Sequence, residues 1–226
     1  MLRKALILST LLFASSVNAA TVAQWTFETS VPTTSGTFAP EVGSGSALGS
    51  HVSTSVVYSN PVGNGSVESF SSNNWSVGDF YQFSVSTLGF SGVTLSWDQI
   101  SSATGPRDFS LSYSLNGTSF TNYANYSVIA NSTPNAWSSS TPVSTSSYAY
   151  DLSSITALNN QSNVFFRLVD VSTVSANGGT VATAGTDRVD NFTVSAVASV
   201  PEADTYAMLL AGMGLMGFVL RRRNQS

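Results

Sequence analysis

The sequence has no cysteine, a single histidine and few charged side chains, which make up 9% of its 226 residues. Without cysteine, disulfide bonds, thiolate catalysis and cysteine-ligated zinc are excluded. Lysine is absent between residues 21 and 200, where three arginines face ten acidic residues. Such an acidic surface repels phosphate backbones, so we expect no nucleic-acid partner.

Serine and threonine are abundant instead, with 42 Ser and 23 Thr. An uncharged polar surface of this kind is typical of extracellular β-proteins, because threonine favours strands and serine favours turns. Aromatic residues reach 11%, which is enough for a hydrophobic core and disfavours a mucin-like stalk. The roughly 180 residues between the two terminal segments suit one domain.

Residues 1–19 have the three parts of a secretory signal peptide. Two basic residues come first, an apolar run over residues 5–14 follows, and small residues then occupy the cleavage positions. The run is too short to span a bilayer well. The pattern predicts export by the general secretory route, with cleavage between Ala19 and Ala20.

The other end of the chain is apolar and then basic. Residues 206–220 carry no charge and are followed directly by Arg221, Arg222 and Arg223. These 15 residues cover about 22 Å as a helix, against a hydrocarbon core of about 30 Å, so we expect a transmembrane helix over about residues 203–220. The arginines act as a stop signal that stays cytoplasmic by the positive-inside rule.

Three consecutive parts of residues 197–226 carry a resemblance to a known sorting signal. Val200, Pro201 and Glu202 form a Pro-Glu-Pro-like motif, with Ala203 where a second proline often stands, and the apolar helix and the arginines follow. This arrangement resembles the PEP-CTERM signal. The resemblance implies cleavage near Pro201 by exosortase, a membrane-embedded cysteine enzyme of Gram-negative bacteria.

The same resemblance implies a route and a setting. The protein would be an inner-membrane-anchored intermediate first, and would then reach the cell surface or extracellular matrix of an organism that makes exopolysaccharide and biofilm. The alternative is a plain C-terminal anchor.

Between the two ends, apolar residues alternate with polar ones, which indicates half-buried strands. Phe109–Leu115 alternates with serine, and Asn116-Gly117 predicts a type I′ hairpin to a strand over 118–123. Five further strands are predicted: Val22–Phe27, Phe80–Val85, Val93–Trp97, Asn163–Val169 and Arg188–Ala196.

The pattern predicts an all-β fold, an antiparallel β-sandwich of jelly-roll type over residues 20–196, between the N-terminal signal peptide and the C-terminal transmembrane helix. A short helix is expected at 154–158, and long loops at 36–50 and 131–147. The segments Trp25–Glu28, Phe109–Gly117 and Asp187–Phe192 resemble parts of extracellular bacterial jelly-roll domains, some of which bind carbohydrate.

Candidate catalytic residues are few. His51 is the only histidine, and a Ser–His–acid triad needs more than abundant serine; with no Gly-x-Ser-x-Gly motif present, we expect an exposed loop histidine. Asp98 and Asp108 are the nearest candidates for the two carboxylates of a glycoside hydrolase, although aspartates at strand ends commonly cap turns. The sequence therefore predicts a protein that is not an enzyme.

Asp187, Asp190 and Asn191 are weak candidates for a structural calcium ion, because calcium binds several oxygen ligands. Ion pairing of Arg188 or Arg167 with a carboxylate is the favoured alternative. No other cofactor is expected.

Some aromatic residues could stack on sugar rings if they were exposed: Trp75, Tyr81, Tyr123, Tyr126 and Trp137. Core packing is the favoured interpretation. The sequence predicts a non-enzymatic surface or matrix protein that contacts exopolysaccharide or matrix proteins. The alternative is a carbohydrate-binding module or a secreted hydrolase.

Overall fold

A computed structural model describes residues 19–199 and 210–213; the signal-peptide and sorting residues outside these ranges are not described. Thirteen strands form within the described residues. They are β1 Ala19–Trp25, β2 Gly36–Phe38, β3 Val42–Gly43, β4 Gly45–Ser50, β5 Tyr58–Ser59, β6 Phe70–Ser72, β7 Phe80–Val85, β8 Phe90–Ser101, β9 Asp108–Ser114, β10 Thr121–Ser127, β11 Ser147–Asp151, β12 Val164–Asp170 and β13 Asp187–Ala198. Two 3₁₀ helices cover Ser144–Ser146 and Thr156–Leu158, and residues 210–213 form one helical turn.

The named strands form two antiparallel sheets. The first has the order β11-β8-β13-β1-β3, with β6 on the first residues of β13 and β5 beside β6. The second has the order β10-β9-β12-β7-β4-β2. The two sheets share one aromatic and aliphatic core, which confirms the predicted antiparallel β-sandwich.

The core follows from the alternation along the strands. Tyr81, Phe83 and Val85 of β7 are buried, and the residues between them are half-buried. Phe83 stacks on Phe192 of the opposite sheet at 3.6 Å between ring centroids, and Trp25 meets both rings edge-on. A fully buried large apolar side chain stabilises the fold by about 1.5–3 kcal/mol, so this cluster ties the sheets together.

The predicted hairpin is present, but its turn differs from the prediction. Tyr113 of β9 pairs with Thr121 of β10, and residues 115–120 form the connection in place of a two-residue turn. Gly117 has a positive φ of 74°, whereas a type I′ turn needs positive φ at Asn116 as well. Asn116 instead accepts hydrogen bonds on Oδ1 from the backbone of Thr118 and Ser119, an arrangement that favours a longer loop.

The predicted loop at 36–50 is wrong, because β2, β3 and β4 lie there. The inward positions of β4 are Ala47 and Gly49, which give no hydrophobic alternation. A Cβ on Gly49 would lie 2.5 Å from the ring of Tyr58, so aromatic rings fill the space that a larger side chain would need. The other predicted loop, at 131–147, has only one 3₁₀ turn before β11, and the predicted helix at 154–158 is a 3₁₀ turn over Thr156–Leu158.

Candidate functional site

The predicted processing residues Val200, Pro201 and Glu202 and the arginines 221–223 lie outside the described residues. The fold reaches to within one residue of them: β13 ends at Ala198, and the N–H of Ser199 donates to the carbonyl of Gly89 at 2.7 Å. Strand β13 therefore runs two residues past the predicted domain end at 196. None of the helices in the described ranges has the length and apolar character to cross a bilayer.

The predicted signal-cleavage residues lie at the start of β1. Ala19 pairs with Val197 and Ala20 pairs with Ala196, in an antiparallel register. Cleavage after Ala19 would leave Ala20 as the first residue of the strand. The first strand of the domain and the strand that leads into the C-terminal tail are therefore neighbours.

The structure contradicts the expectation that His51 is an exposed loop residue. Its side chain is 0% exposed and packs edge-on against Trp75, at 4.5 Å between ring centroids. Its Nε2 lies 3.0 Å from the hydroxyl of Ser72, and its Nδ1 lies 3.1 Å from Oδ2 of Asp79. Burial lowers the pKa of His51, and the neighbouring Asp79 opposes this shift. No local sequence pattern predicts these contacts, because Ser72 and Asp79 lie 21 and 28 residues further along the chain.

Three side chains contact one another in the order found in a catalytic triad: Ser72, His51 and Asp79. Their surroundings indicate that they stabilise the fold. The hydroxyl of Ser72 is fully buried and also contacts the hydroxyl of Tyr81 at 3.1 Å. A nucleophilic hydroxyl must reach the carbonyl of a substrate, and a hydroxyl that is inaccessible to solvent cannot do so. Asp79 accepts backbone hydrogen bonds from Val52 and Ser76, so it holds two loops in place.

The two carboxylates named for glycoside hydrolysis are engaged in separate surroundings. Asp98 accepts hydrogen bonds from Ser147 at 2.5 Å and Asn191 at 2.9 Å, beside a shallow polar depression of about 350 Å³. Asp108 pairs with Arg107 at 2.8 Å, and this hydrogen bond lowers the pKa of Asp108 to about 2. Neither carboxyl has the apolar setting of a general acid.

The weak calcium candidates are engaged in hydrogen bonds with other protein groups. The carboxyl of Asp187 is buried, accepts a hydrogen bond from Gln99 on Oδ1 and is hydrogen-bonded to Ser101 through Oδ2. Asp190 accepts four hydrogen bonds, from the backbone of Asn64, the hydroxyl of Ser66, and the backbone and side chain of Asn191. Among the described residues no group of three or more His, Asp or Glu side chains is arranged to hold a metal ion.

The favoured ion pairs of Arg188 and Arg167 are also wrong. Arg188 donates to the backbone carbonyl of Val62, and Arg167 donates to the side chain of Gln82 while lying between the rings of Phe80 and Phe120. Aromatic stacking and neutral acceptors satisfy these guanidinium groups in place of carboxylates. Sequence reasoning missed this, because the aromatic partners Phe80 and Phe120 are distant from Arg167 in the sequence.

Most of the aromatic candidates for sugar stacking are core residues. Trp75, Tyr81 and Trp137 are at most 6% exposed, and Tyr126 donates its hydroxyl to the buried Gln99. Tyr123 is 36% exposed, and its hydroxyl donates to the backbone of β11. The favoured interpretation, core packing, is therefore correct for the three most buried residues.

Comparison with known proteins adds one specific match. The family model described as the PEP-CTERM protein-sorting motif matches residues 199–223, the segment that directly follows β13. This confirms the resemblance of the tail to that signal. No curated protein matches the chain.

Two solved structures that partly resemble this fold are a xylan-binding domain and an adhesin domain. The CBM22-2 xylan-binding domain of Paenibacillus barcinonensis Xyn10C is 13% identical, with 77% of this chain and 99% of that one covered and a TM-score of 0.45. The K1 cleaved adhesin domain of Lys-gingipain from Porphyromonas gingivalis W83 is 12% identical, with 76% and 95% covered and a TM-score of 0.43. Similarity at this level carries no argument about function.

Proposed function

We propose that this chain is an exported protein that exosortase cleaves near Pro201 and releases to the cell surface, where its β-sandwich is a non-enzymatic component of the exopolysaccharide matrix. The match of residues 199–223 to the sorting motif carries the proposal. Before cleavage, the tail anchors the protein in the inner membrane, and Arg221–Arg223 keep the C-terminus cytoplasmic.

The position of the motif relative to the fold supports the proposed processing. Strand β13 ends at Ala198, so a cut at residues 200–202 leaves every described strand of the domain intact. Proline at 201 fixes its own φ and favours an extended Val200, which is the conformation that peptidase clefts bind. The domain would therefore be released whole.

The absence of a catalytic role is supported by the surroundings of the candidate residues. The hydroxyl of Ser72 is buried, and Asp108 forms an ion pair with Arg107. The aromatic side chains named for sugar stacking are mostly in the core. The uncharged Ser- and Thr-rich surface suits contacts with neutral polysaccharide through hydroxyl groups.

Mass spectrometry of the mature surface protein tests the proposal. We expect a C-terminus between residues 199 and 202 in cells with exosortase, and an intact tail in an exosortase deletion strain. Replacing Pro201 and Glu202 together by alanine should block processing, whereas Asn224→Ala, outside the matched segment, should not. A surface protein that still ends at Ser226 in exosortase-positive cells would contradict the proposal.

A further inference from the structure

Asp170, the last residue of β12, differs from the other buried carboxylates. It is 1% exposed, yet it accepts one hydrogen bond, on Oδ1 from the backbone N–H of Ser172 at 3.2 Å. Its Oδ2 accepts none from residues 19–199, whereas both carboxyl oxygens of Asp187 and of Asp190 have protein hydrogen-bond partners. Asp170 lines a cavity, so its second oxygen is available to a hydrogen-bond donor bound there.

A cavity of about 270 Å³ lies beside Asp170. It is formed where the connection between β6 and β7 meets the segment after β12, and its walls include Trp75, Ser76, Val77, Thr173, Thr180 and Val181. Its volume lies just below the usual range for ligand sites, which begins at about 300 Å³, so it suits a ligand no larger than one sugar ring.

The charges around this cavity favour a cation. Burial, together with the smaller effect of the neighbouring carboxylates Asp79 and Asp108, raises the pKa of Asp170 to about 7. No described arginine contacts Asp170: Arg107 is bound to Asp108, and the other two arginines donate elsewhere. A bound cation would neutralise this negative cluster and pack against the indole of Trp75.

We propose that this cavity binds a primary ammonium group carried by a deacetylated amino sugar, with the carboxylate of Asp170 as the acceptor of its hydrogen bond. A charged N–H donor is matched to an ionised carboxylate in a low-dielectric site, where such a bond is stronger than one between neutral groups. The site lies in the folded domain and does not depend on the sorting route.

Calorimetric titration of the full chain in detergent micelles tests the proposal. We expect glucosamine to bind more tightly than Nα-acetyl-lysine amide, and N-acetylglucosamine not to bind. The weaker affinity for the lysine amide, whose ammonium stays charged, should rise between pH 6 and 8 as the carboxylate ionises. Asp170→Asn should weaken binding about tenfold or more. The matched control Asp151→Asn removes an exposed carboxylate elsewhere and should change affinity less than about twofold.

Tighter binding of the lysine amide than of glucosamine would indicate a protein partner and would overturn the proposal of an amino sugar. Equal binding of N-acetylglucosamine, no binding of either amine, or unchanged affinity in Asp170→Asn would overturn the proposal. If Asp170→Asn fails to fold by circular dichroism, Thr180→Trp at the exposed rim decides, because it should block the cavity and leave the fold intact. Cleavage of the tail is unaffected by any of these results.

Discussion

The hydrogen bonds around the buried carboxyl of Asp187 determine whether that carboxyl carries a proton. The hydroxyl of Ser101 lies 2.6 Å from the carbonyl of Pro106 and 2.8 Å from Oδ2 of Asp187. A carbonyl only accepts, so the one hydroxyl hydrogen goes to Pro106, and the second contact is a hydrogen bond only if Asp187 carries a proton. Burial also raises the pKa of Asp187 well above its ordinary value. The residue is therefore a neutral carboxylic acid.

Asp187→Asn should be tolerated for this reason. The amide can donate to Ser101 where the protonated carboxyl does, and its oxygen can accept from Gln99, so we expect the free energy of unfolding at pH 7 to change by less than about 1 kcal/mol. Asp187→Ala should cost about 2–4 kcal/mol, because it leaves Gln99 without its acceptor and opens a cavity. Urea denaturation measures both. A loss in Asp187→Asn as large as that in Asp187→Ala would show that the carboxyl is ionised.

At the scale of elements, β4 is a strand whose inward residues must be small, because aromatic rings from other segments occupy the space beside them. The Cβ of an alanine at position 49 would lie 2.5 Å from Cε1 of Tyr58 and 3.2 Å from Cζ of Phe70. Overpacking of this kind costs about 1–3 kcal/mol. We therefore expect Gly49→Ala to lower the melting temperature, as measured by circular dichroism.

Two comparisons isolate the cause of that loss. Gly179→Ala, at an exposed position with contacts no closer than 3.3 Å, should be nearly neutral. Tyr58→Ala removes the ring that a new Cβ would meet, so the double variant should lose less stability than the sum of the single variants. Additive losses would mean that the backbone of β4, and not the contact with Tyr58, is sensitive.

The same elements show how far the sequence alone predicts the fold. Strand β7 was predicted with its correct bounds, because Tyr81, Phe83 and Val85 alternate with polar residues. Strand β4 was missed, because its inward residues are small where rings from elsewhere fill the core. The residues that surround His51 and Asp170 come from segments distant in sequence, so no local sequence pattern predicts these contacts. The sorting motif was readable because its parts are consecutive in the chain.

At the scale of the whole molecule, strand β13 runs from one end of the sandwich to the other and connects the buried polar residues at one end with the tail at the other. It begins at Asp187, near the buried Tyr81 and Ser72, and ends at Ala198, beside the start of β1. Its twelve residues cover about 40 Å at 3.3 Å per residue. The first strand and the tail leave from one end of the sandwich, and Asp79 and His51 lie at the other. A membrane-anchored intermediate would thus present the proposed ammonium site away from the tail.

The buried carboxyls at that distant end predict how stability depends on pH. The pKa values of Asp170 and Asp190 are raised by burial to about 7, against about 3.9 in an unfolded chain. The folded state therefore binds more protons between about pH 4 and pH 7, and its free energy of unfolding falls as pH rises through this window. Asp108 acts in the opposite sense below about pH 4, but it is partly exposed and its contribution is small. His51, whose pKa is lowered by burial, also acts in the opposite sense as pH rises toward about 6.5, and offsets part of the loss from the two carboxyls.

We expect the melting temperature to be highest near about pH 4–5 and to be lower at pH 8. Thermal melts of the wild type and of Asp170→Asn across this range measure the effect. The variant cannot ionise at position 170, so its decline with pH should be shallower, whereas Asp151→Asn should keep the wild-type slope. A melting temperature that stays constant or rises between pH 5 and pH 8 would mean that the buried carboxyls remain ionised in the folded protein, and that their protein donors outweigh the cost of burial.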